Sequence, residues 1–344
     1  MAHLPAMWLA APLLMLLTMT PQQGASVDSV VSFVMQRDHI AGLSLCITRN
    51  GTQLYARGYG RRDLDGGKPA NAYTVYPVGS LVKQMIAAEI LRQTASHALS
   101  LNTPVASWMP QYSWARTVTL HDLLAQQSGL ASSDDSTTWE TAPLQFTPGT
   151  SWAYSNANYL VLGQILEQLT AAPWQSSIAA LALHLHMHST HTRFDPNAVN
   201  RATGYRWTAE RWEAMPARAH EFATLSSAGA LESNAIDLTR WLTSLCRGEV
   251  LPARQFDAMV TNQPLQNGVL SNYGYGFFIR TWSGTTVAEH KGNVDGFSAD
   301  DALVPSNGLA VSVVSNADRV DLVPLVHSIV DIFSASRRNE DACV

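Results

Sequence analysis

The chain has 344 residues, a formal net charge of −5 and 14% charged residues, while 46% of its residues are hydrophobic. So apolar a composition excludes an intrinsically disordered chain. Three of the charged residues are lysines, namely Lys68, Lys83 and Lys291. A mildly acidic chain with so few lysines has no electrostatic basis for nucleic-acid binding, so no nucleic-acid partner is expected. The length suits either one large domain with an insertion or two closely packed domains.

The first segment of the chain is apolar and uncharged. No Lys, Arg, Asp or Glu occurs before Asp28, residues 7–19 are almost wholly apolar, and small residues follow at Ala25 and Ser26. The apolar run is too short for an ordinary membrane-spanning helix, and this arrangement is typical of a secretory signal peptide. We therefore expect residues 1–25 to be a signal peptide and the protein to be periplasmic or secreted, with no stable membrane domain after cleavage.

Hydrophobic patterning predicts strands at both ends of the chain and helices between them. The turn-forming pair Asn50-Gly51 separates two β-type runs and predicts a hairpin. From Ser80 to about Leu245 the apolar residues recur mainly at helical spacing. The individual predictions are a helix over 27–36, strands over 43–49, 53–59, 274–282, 286–290, 296–304 and 309–315, and helices that begin at 80 and cover 158–170, 236–245 and 322–335.

This order of elements predicts an α/β (α+β) protein. An antiparallel sheet would be flanked by helices and interrupted by an inserted all-helical domain. We assign residues 27–335 to this unit, with the sheet part at about 27–75 and 246–335 and the helical part at about 80–245. Residues 336–344 would form a tail. The active site is expected in the cleft between the two parts, where binding sites commonly lie.

The first pattern with catalytic potential is Ser80-Leu81-Val82-Lys83. If a helix begins at Ser80, residues i and i+3 share one face, so the Lys83 amine can approach the Ser80 hydroxyl. A serine hydroxyl needs a base to act as a nucleophile, and a lysine whose pKa is lowered by burial can serve as that base. Backbone N–H groups at a helix N-terminus suit a developing oxyanion. The alternative is a solvated lysine on an ordinary helix.

The second pattern is Tyr154-Ser155-Asn156. Tyr154 and Asn156 lie two residues apart, so both could point into one cleft. Tyr154 could then carry a proton while Asn156 recognises an amide. The alternative is a packed tyrosine beside an asparagine that caps a helix.

The third pattern, His290-Lys291-Gly292-Asn293, follows a predicted strand. On a strand His290 and Gly292 share one face, and Lys291 points away from it. Gly292 would let a substrate backbone approach closely, as when a peptide adds to a sheet edge. The alternative for His290 is a histidine whose hydrogen bonds serve the structure alone.

Taken together, Ser-x-x-Lys, Tyr-x-Asn and His-x-Gly in this order resemble the penicillin-recognising serine hydrolases. The chain most resembles the branch that holds class C β-lactamases, D-alanyl-D-alanine carboxypeptidases and related esterases. The resemblance covers about residues 27–335. Supporting phrases are Val118-Thr119-Leu120-His121-Asp122-Leu123-Leu124 with Ser128-Gly129-Leu130, Asn158-Tyr159-Leu160-Val161-Leu162-Gly163, and Ser227-Ala228-Gly229-Ala230-Leu231.

The resemblance implies four catalytic residues. Ser80 would be the acylated nucleophile, and Lys83 and Tyr154 would jointly act as its base. Tyr154 would also carry the proton to the leaving group and help to activate the deacylating water. His290 would tune Lys83 and Tyr154 from the opposite wall.

The resemblance also implies residues that bind the substrate. Asn156 would bind the amide side of the substrate. The N–H groups of Ser80 and Asn293 would form the oxyanion hole, and Gly292 would lie beside the bound substrate. No cofactor and no metal are implied.

The chain departs from the family pattern in three places. His290 stands where class C β-lactamases have lysine, which favours carboxypeptidase-like and esterase-like relatives. Lys291 stands where threonine or a small residue is common, so it either weakens carboxylate recognition or itself holds an anionic group. Gln126-Gln127 replaces a common His-Thr, with no expected consequence.

A run of histidines and the cysteines receive structural interpretations. The histidines superficially resemble a zinc-binding run but lack its Asp and its adjacent His, so a solvated loop is expected. They are His184, His186, His188 and His191. Two of the cysteines, Cys46 and Cys246, are expected to be buried small hydrophobic residues and Cys343 to lie in the tail, and no pairing follows from the sequence.

The leading hypothesis is therefore an exported serine hydrolase that forms an acyl-enzyme on Ser80. Its substrates would be β-lactams or D-amino-acid peptides, as for β-lactamases and D-Ala-D-Ala carboxypeptidases. The alternatives are a small-ester esterase of the same family and a penicillin-binding or sensor protein that deacylates slowly. Metal-dependent hydrolysis is a weaker alternative. The expected partner is a small-molecule or peptide substrate, and the protein is expected to be a monomer.

Overall fold

A computed structural model describes residues 19–96, 99–132, 138–194, 198–215, 219–334 and 342–343. The strands in these residues are β1 (Gly42–Arg49), β2 (Thr52–Asp63), β3 (Lys68–Pro69), β4 (Tyr76–Pro77), β5 (Gly204–Thr208), β6 (Arg211–Met215), β7 (Glu232–Ser233), β8 (Phe278–Trp282), β9 (Thr285–Val294), β10 (Phe297–Val304) and β11 (Leu309–Ser315). The α-helices are α1 (Pro21–Arg37), α2 (Val82–Ser96), α3 (Leu120–Leu124), α4 (Thr138–Thr141), α5 (Asn156–Thr170), α6 (Trp174–His184), α7 (Ala219–Gly229), α8 (Ala235–Cys246), α9 (Ala253–Val260) and α10 (Val323–Ser334). Short 3₁₀ turns cover Gly79–Leu81, Val105–Ser107 and Ser113–Arg116.

Strands from the two ends of the chain form one antiparallel sheet. Its order is β3-β2-β1-β11-β10-β9-β8, so the first and last strands of the chain meet at the β1–β11 pair. The residues between β3 and β8 are inserted into this sheet, and most of the regular elements among them are helices. The predicted α/β class, with an antiparallel sheet flanked by helices, is confirmed.

The central strands are covered by helices on both faces. Every residue of β1 and β11 is buried, which accounts for their nearly continuous apolar runs. Along β1, Leu43, Leu45 and Ile47 pack into the core formed with α1 and α10. The intervening Cys46 belongs to the other core, on the face covered by α8. Successive side chains of a strand point to opposite faces, so one strand contributes to both cores.

The strands around the third motif differ in length from their predictions. The strand predicted over 286–290 is longer in the structure and covers Thr285–Val294. The prediction stopped at 290 because the exposed residues Lys291 and Asn293 are polar and interrupt the apolar pattern. The strand predicted from 274 begins instead at Phe278. Gly276 has a φ of +81°, in the left-handed region, and this interrupts an extended conformation.

The helical part also contains a small hairpin, which the patterning did not predict. Its strands β5 and β6 pair with Trp207 opposite Trp212. Ala209 and Glu210 form the turn with φ of +46° and +62°. Non-glycine residues in this conformation give no turn signal in the sequence, because Asn-Gly or Gly-Gly is the usual pair.

A disulfide bond joins Cys246 and Cys343 and corrects the expectation for these two residues. Cys246 ends helix α8, and the backbone N–H of Cys343 donates to the carbonyl of Pro305 at 2.8 Å. The hydrogen bond fixes Cys343 to the residue after β10, and the disulfide joins it to the end of α8 across a separation of 97 positions. Cys46 is buried and unpaired, as expected.

The predicted signal peptide lies mainly outside the described residues, which begin at Met19. Helix α1 starts after Thr20, whose hydroxyl accepts the N–H of Gln23 at 3.2 Å, and it continues through the predicted cleavage position at Ala25 or Ser26. Within the described ranges, no helix is long and apolar enough to span a membrane.

Candidate active site

Ser80 lies in the 3₁₀ turn Gly79–Leu81, directly before helix α2. Gly79 has a φ of +55°, and a Cβ atom there would lie 3.0 Å from the carbonyl oxygen of Asn293 in β9. The turn therefore packs closely against β9, which only a glycine allows. Ser80 itself is partly exposed, so its hydroxyl can meet a substrate.

The Lys83 amine lies beside the Ser80 hydroxyl. Its side chain is fully buried, with Nζ 2.9 Å from Ser80 Oγ and 3.0 Å from Asn156 Oδ1, and it also donates to the carbonyl of Ala228. Burial lowers the pKa of Lys83 well below its usual value. A neutral amine that donates to Asn156 and Ala228 keeps one lone pair, which can accept the Ser80 proton.

The Ala228 carbonyl reaches Lys83 through an unusual backbone. Ser226, inside α7, has a φ of +41° and a ψ of −137°, far from helical values. The following Ser227 donates its hydroxyl to the carbonyl of Tyr159 at 2.9 Å. Strained residues of this kind persist when the surrounding packing holds them, and they are common at functional sites.

Gln126 holds the loop of the second motif. Its side-chain oxygen accepts the N–H of Ser155 at 2.9 Å, and its carbonyl accepts the N–H of Ala153 at 3.1 Å. Tyr154 is thus held on both sides by one buried residue. The spacing of the sequence did not predict these contacts of Gln126, because its partners lie about 30 positions away along the chain.

Tyr154 faces both Ser80 and Lys83. The ring centre of Tyr154 lies 5.0 Å from Lys83 Nζ. Burial raises the pKa of Tyr154 above its usual value, and a hydrogen bond with Ser80 opposes this only in part. Tyr154 is therefore a neutral phenol at neutral pH, able to relay a proton between Ser80 and a leaving group.

His290 is buried in β9 and neutral. Its Nδ1 lies 2.8 Å from the Lys291 carbonyl, which can only accept, so Nδ1 carries the proton. Nε2 then accepts from the hydroxyl of Tyr273 at 3.2 Å. Burial, followed by the charge of Lys83, lowers the pKa of His290 to about 3. His290 faces the site as an uncharged ring 5.9 Å from the ring of Tyr154.

Tyr273 is a site residue that the sequence analysis missed. It is fully buried, and its hydroxyl donates to Nε2 of His290 at 3.2 Å. Burial, and then the neighbouring tyrosines, raise its pKa. No motif marks Tyr273, which precedes β8 in a turn-rich stretch. Its position beside His290 and Phe278 depends on packing alone.

Gly292 and the two expected oxyanion donors meet where β9 contacts the 3₁₀ turn. A Cβ atom on Gly292 would lie 1.9 Å from the Val78 carbonyl oxygen and 3.4 Å from the Ser80 nitrogen. A Cβ atom on Gly79 would lie 3.1 Å from the Asn293 nitrogen. The backbone nitrogens of Ser80 and Asn293 therefore both lie where the 3₁₀ turn packs against β9. The protein's own backbone at Val78, rather than a substrate, explains why residue 292 is glycine.

Lys291 points away from the site, as its position on the strand predicts. It is exposed, and its Nζ lies 3.7 Å from Asp321 Oδ1. The backbone of Lys291 nevertheless contributes to the site, because its carbonyl accepts from His290. The expectation that this lysine could hold an anionic group at the catalytic serine is not supported by its direction.

The histidine run lies elsewhere on the surface. His184, His186 and His188 are exposed, and the rings of the last two lie 5.9 Å apart. The backbone N–H of His191 donates to the carbonyl of Glu232. In the part of the chain that the structure describes, no three His, Cys, Asp or Glu side chains are grouped so as to hold a metal ion.

Comparisons with known proteins show which family and which folds this chain is similar to. A family model described as "Beta-lactamase" matches residues 27–327. Protein flp of Staphylococcus aureus (strain MRSA252) is 26% identical over 327 residues, covering 87% of this chain and 64% of its own length. The chain therefore spans less than two thirds of that relative.

Two solved structures share the fold. The octameric penicillin-binding protein homologue from Pyrococcus abyssi superposes with a TM-score of 0.78 at 21% identity, covering 93% of this chain and 79% of its own. The D-amino acid amidase from Ochrobactrum anthropi SV3 superposes with a TM-score of 0.79 at 19% identity, covering 92% of this chain and all of its own. At such identities the likeness concerns the fold.

Proposed function

Because the chain belongs to the β-lactamase family of serine hydrolases, we propose that it forms an acyl-enzyme on Ser80. The observation that carries this proposal is the fully buried Lys83 amine, 2.9 Å from the Ser80 hydroxyl. A lysine held neutral by burial is a base at neutral pH, and a base within hydrogen-bonding distance is what a serine nucleophile requires.

In the proposed acylation, Ser80 Oγ bonds to the substrate carbonyl carbon while its proton passes to the neutral amine of Lys83, from which the Tyr154 phenol relays it towards the leaving group. The carbonyl oxygen becomes negative and accepts the N–H groups of Ser80 and Asn293. The bond from carbon to the leaving nitrogen or oxygen then breaks, and Tyr154 delivers the proton to the departing atom.

Deacylation would reverse these roles with water. Water attacks the ester carbon, and its proton passes to the neutral amine of Lys83, directly or through the Tyr154 phenol. The bond from the ester carbon to Ser80 Oγ then breaks, and Oγ takes up that proton as the acid leaves. Asn156 donates through its amide nitrogen to the substrate, because its amide oxygen is already bonded to Lys83. The same groups therefore serve both half-reactions.

The proposed substrates are β-lactams and D-amino-acid peptides. The shared fold with the D-amino acid amidase from Ochrobactrum anthropi SV3 supports a D-amino-acid amide as a related substrate class. Small esters are the second candidate, and the neutral His290 favours them, since a family lysine is replaced by an uncharged ring. A slowly deacylating penicillin-binding protein would share the acylation step and differ in turnover.

Intact-protein mass spectrometry tests the acyl-enzyme. The purified chain is treated with a labelled penicillin and, separately, with an activated ester, and the adduct is mapped by peptide digestion. We expect an adduct on Ser80 that is absent from Ser80→Ala. No adduct with either reagent, or one that persists in Ser80→Ala, contradicts the proposal. A burst of one equivalent followed by negligible turnover would favour the sensor alternative.

We also propose that the protein is exported and acts as a monomer. The uncharged apolar run at residues 7–19 and the Cys246–Cys343 disulfide support export, since disulfides persist in oxidising compartments. N-terminal sequencing of the mature protein and light scattering test the two statements. A cytoplasmic chain that retains residues 1–25 would contradict export. A stable oligomer, such as the octamer of the Pyrococcus abyssi homologue, would contradict the monomer.

A further inference from the structure

Aromatic rings line the side of the site that faces the nucleophile. We call the rings of Trp152, Tyr154, Tyr273, Phe278 and His290 the aromatic wall. Phe278 is at its centre, with ring centres 5.2 Å from His290, 5.0 Å from Tyr273, 6.0 Å from Trp152 and 6.2 Å from Tyr154. The rings of Phe278 and Tyr154 are almost parallel, at 10°.

Part of this wall is open to a ligand. Trp152, Tyr154 and Phe278 are partly exposed, while Tyr273 and His290 lie buried behind them. Tyr154 also forms a hydrogen bond with the nucleophile, so the exposed rings begin next to Ser80. When an apolar or aromatic group of a ligand covers a partly exposed aromatic surface, the complex is stabilised because apolar area is removed from water.

Burial lowers the pKa of Lys83, 5.0 Å from the Tyr154 ring centre, so that amine is not a cation for the substrate, and the two exposed cations on β8 and β9 lie beside acids. The guanidinium of Arg280 lies 5.5 Å from the centre of the Phe278 ring, and its Nε donates to the buried carboxylate of Glu289. Lys291 lies next to Asp321 on the opposite face of β9. An arginine committed to a buried acid offers a substrate carboxylate little attraction.

His290 completes the uncharged character of this wall. Its Nδ1–H donates to the Lys291 carbonyl, and its Nε2 accepts from the Tyr273 hydroxyl. Neither nitrogen is therefore available to a carboxylate. Protonation would add a charge next to Lys83, in a buried position. The buried ring therefore lies behind the exposed rings as an uncharged group and places no cation near the substrate.

We propose that the aromatic wall binds an uncharged apolar or aromatic group of the substrate. Among the proposed substrates, the enzyme would then prefer esters and amides without a carboxylate next to the scissile bond over β-lactams and peptides that carry one. This inference rests on the proposed acyl-enzyme at Ser80. A carboxylate placed against these rings would lose its hydration without gaining an ion pair. An aromatic group would instead stack on Phe278.

A matched pair of substrates tests the preference. Acetyl-D-alanyl-D-alanine and its C-terminal carboxamide share the scissile peptide bond and differ in one charge. We expect kcat/KM to be at least about 10-fold higher for the carboxamide. Nitrophenyl phenylacetate and nitrophenyl acetate form a second pair, in which we expect the aromatic acyl group to be favoured. Equal rates, or faster cleavage of the free acid, overturn the inference.

The variants Phe278→Ala and Phe278→Leu assign the preference to the wall. We expect each to lower the phenylacetate-to-acetate ratio by about 3- to 10-fold, because the stacking surface is lost. Phe278→Leu keeps an apolar side chain at this position in case Phe278→Ala folds poorly. Lys291→Ala is the control for charge, and we expect it to leave the carboxamide-to-acid ratio unchanged. A ratio that changes in Lys291→Ala but not in the Phe278 variants overturns the inference.

The failure of this inference and that of the proposed function are distinguishable. If Ser80 is acylated but the free acid is preferred, only the substrate preference is wrong. If neither substrate pair acylates Ser80, both are wrong. Mass spectrometry of Ser80 is therefore run on every substrate, with Ser80→Ala alongside.

Discussion

The hydroxyl of Tyr273 lies 3.2 Å from Nε2 of His290, at a point where both side chains are fully buried. The Lys291 carbonyl accepts the proton on Nδ1 of His290, so Nε2 is unprotonated and accepts from the Tyr273 hydroxyl. It links the loop before β8 to the strand that carries the third motif. Tyr273 is thus a positioning residue for His290.

Tyr273→Phe should leave Nε2 of His290 buried without a donor. We expect the acylation rate to fall by about 10-fold and stability to fall by about 1–3 kcal/mol, the usual cost of an unsatisfied buried group. Stopped-flow acylation and urea unfolding measure the two effects. Tyr275→Phe is the matched control, because it removes a similar Tyr–His bond, at 2.8 Å to His121, outside the site. Equal loss of rate in both variants would argue against a positioning role.

Lys83→Ala should abolish acylation of Ser80. The change removes the base that lies 2.9 Å from Oγ, and loss of such a group commonly lowers the rate by a factor of about 10² to 10⁴. Lys68→Ala is the control, since Lys68 is an exposed residue of the edge strand β3. Intact mass after reaction with an activated ester gives the readout. Normal acylation of the Lys83 variant would refute the mechanism.

Gly292→Ala should displace β9 from the turn that carries Ser80. The added Cβ atom would lie 1.9 Å from the Val78 carbonyl oxygen, so the backbone must move. We expect acylation to fall by at least about 100-fold, since an error near 1 Å in position can have that effect. Gly284→Asn is the control, because that turn glycine has open space around it. Full activity of Gly292→Ala would contradict this account.

Because of Asp301, the free energy of unfolding should fall as pH rises. It is buried beside His290 in the sheet, accepts from Gln84 at 2.6 Å, and burial raises its pKa to about 8. The folded chain therefore keeps a proton that the unfolded chain loses near pH 4, and stability is lost progressively as pH rises through 8.

Asp301→Asn should remove this dependence, because the amide resembles the protonated acid. We expect the variant and the parent to be similar in stability near pH 4 and the variant to be more stable near pH 9. Urea unfolding at both pH values measures the difference. Asp65→Asn, at an exposed position, is the control. A parent protein whose stability rises relative to Asp301→Asn above pH 7 would contradict the assignment.

Removing the Cys246–Cys343 bond should destabilise the folded chain. The bond closes a loop of nearly a hundred residues, for which chain entropy predicts a contribution of about 4–5 kcal/mol at most. We expect Cys343→Ser to lower Tm, and reductant to lower Tm of the parent but not of the variant. The control is the parent protein without reductant. Cys46→Ser is not used as a control, because Cys46 is buried and its replacement would itself change stability. No effect of reductant on the parent would contradict the pairing.

Local spacing determined much of the catalytic assignment. A serine and a lysine three positions apart lie on one side of a turn and helix, so Ser80 and Lys83 are adjacent whatever the rest of the chain does. Alternation along β9 likewise predicts that Lys291 turns away from His290 and Gly292, as the structure shows. These relationships depend on helix and strand geometry, which is short in range.

Contacts between distant segments were decided by the tertiary structure alone. The bonds from Tyr273 to His290 and from Gln126 to Ser155, and the pairing of Cys246 with Cys343, join residues 17 to 97 positions apart. No period of 2 or 3.6 residues encodes such contacts, since they arise only when buried faces of the sheet and helices pack together. The same packing hides Lys83 from water, and so the lysine that the sequence places beside Ser80 becomes a base only in the folded chain.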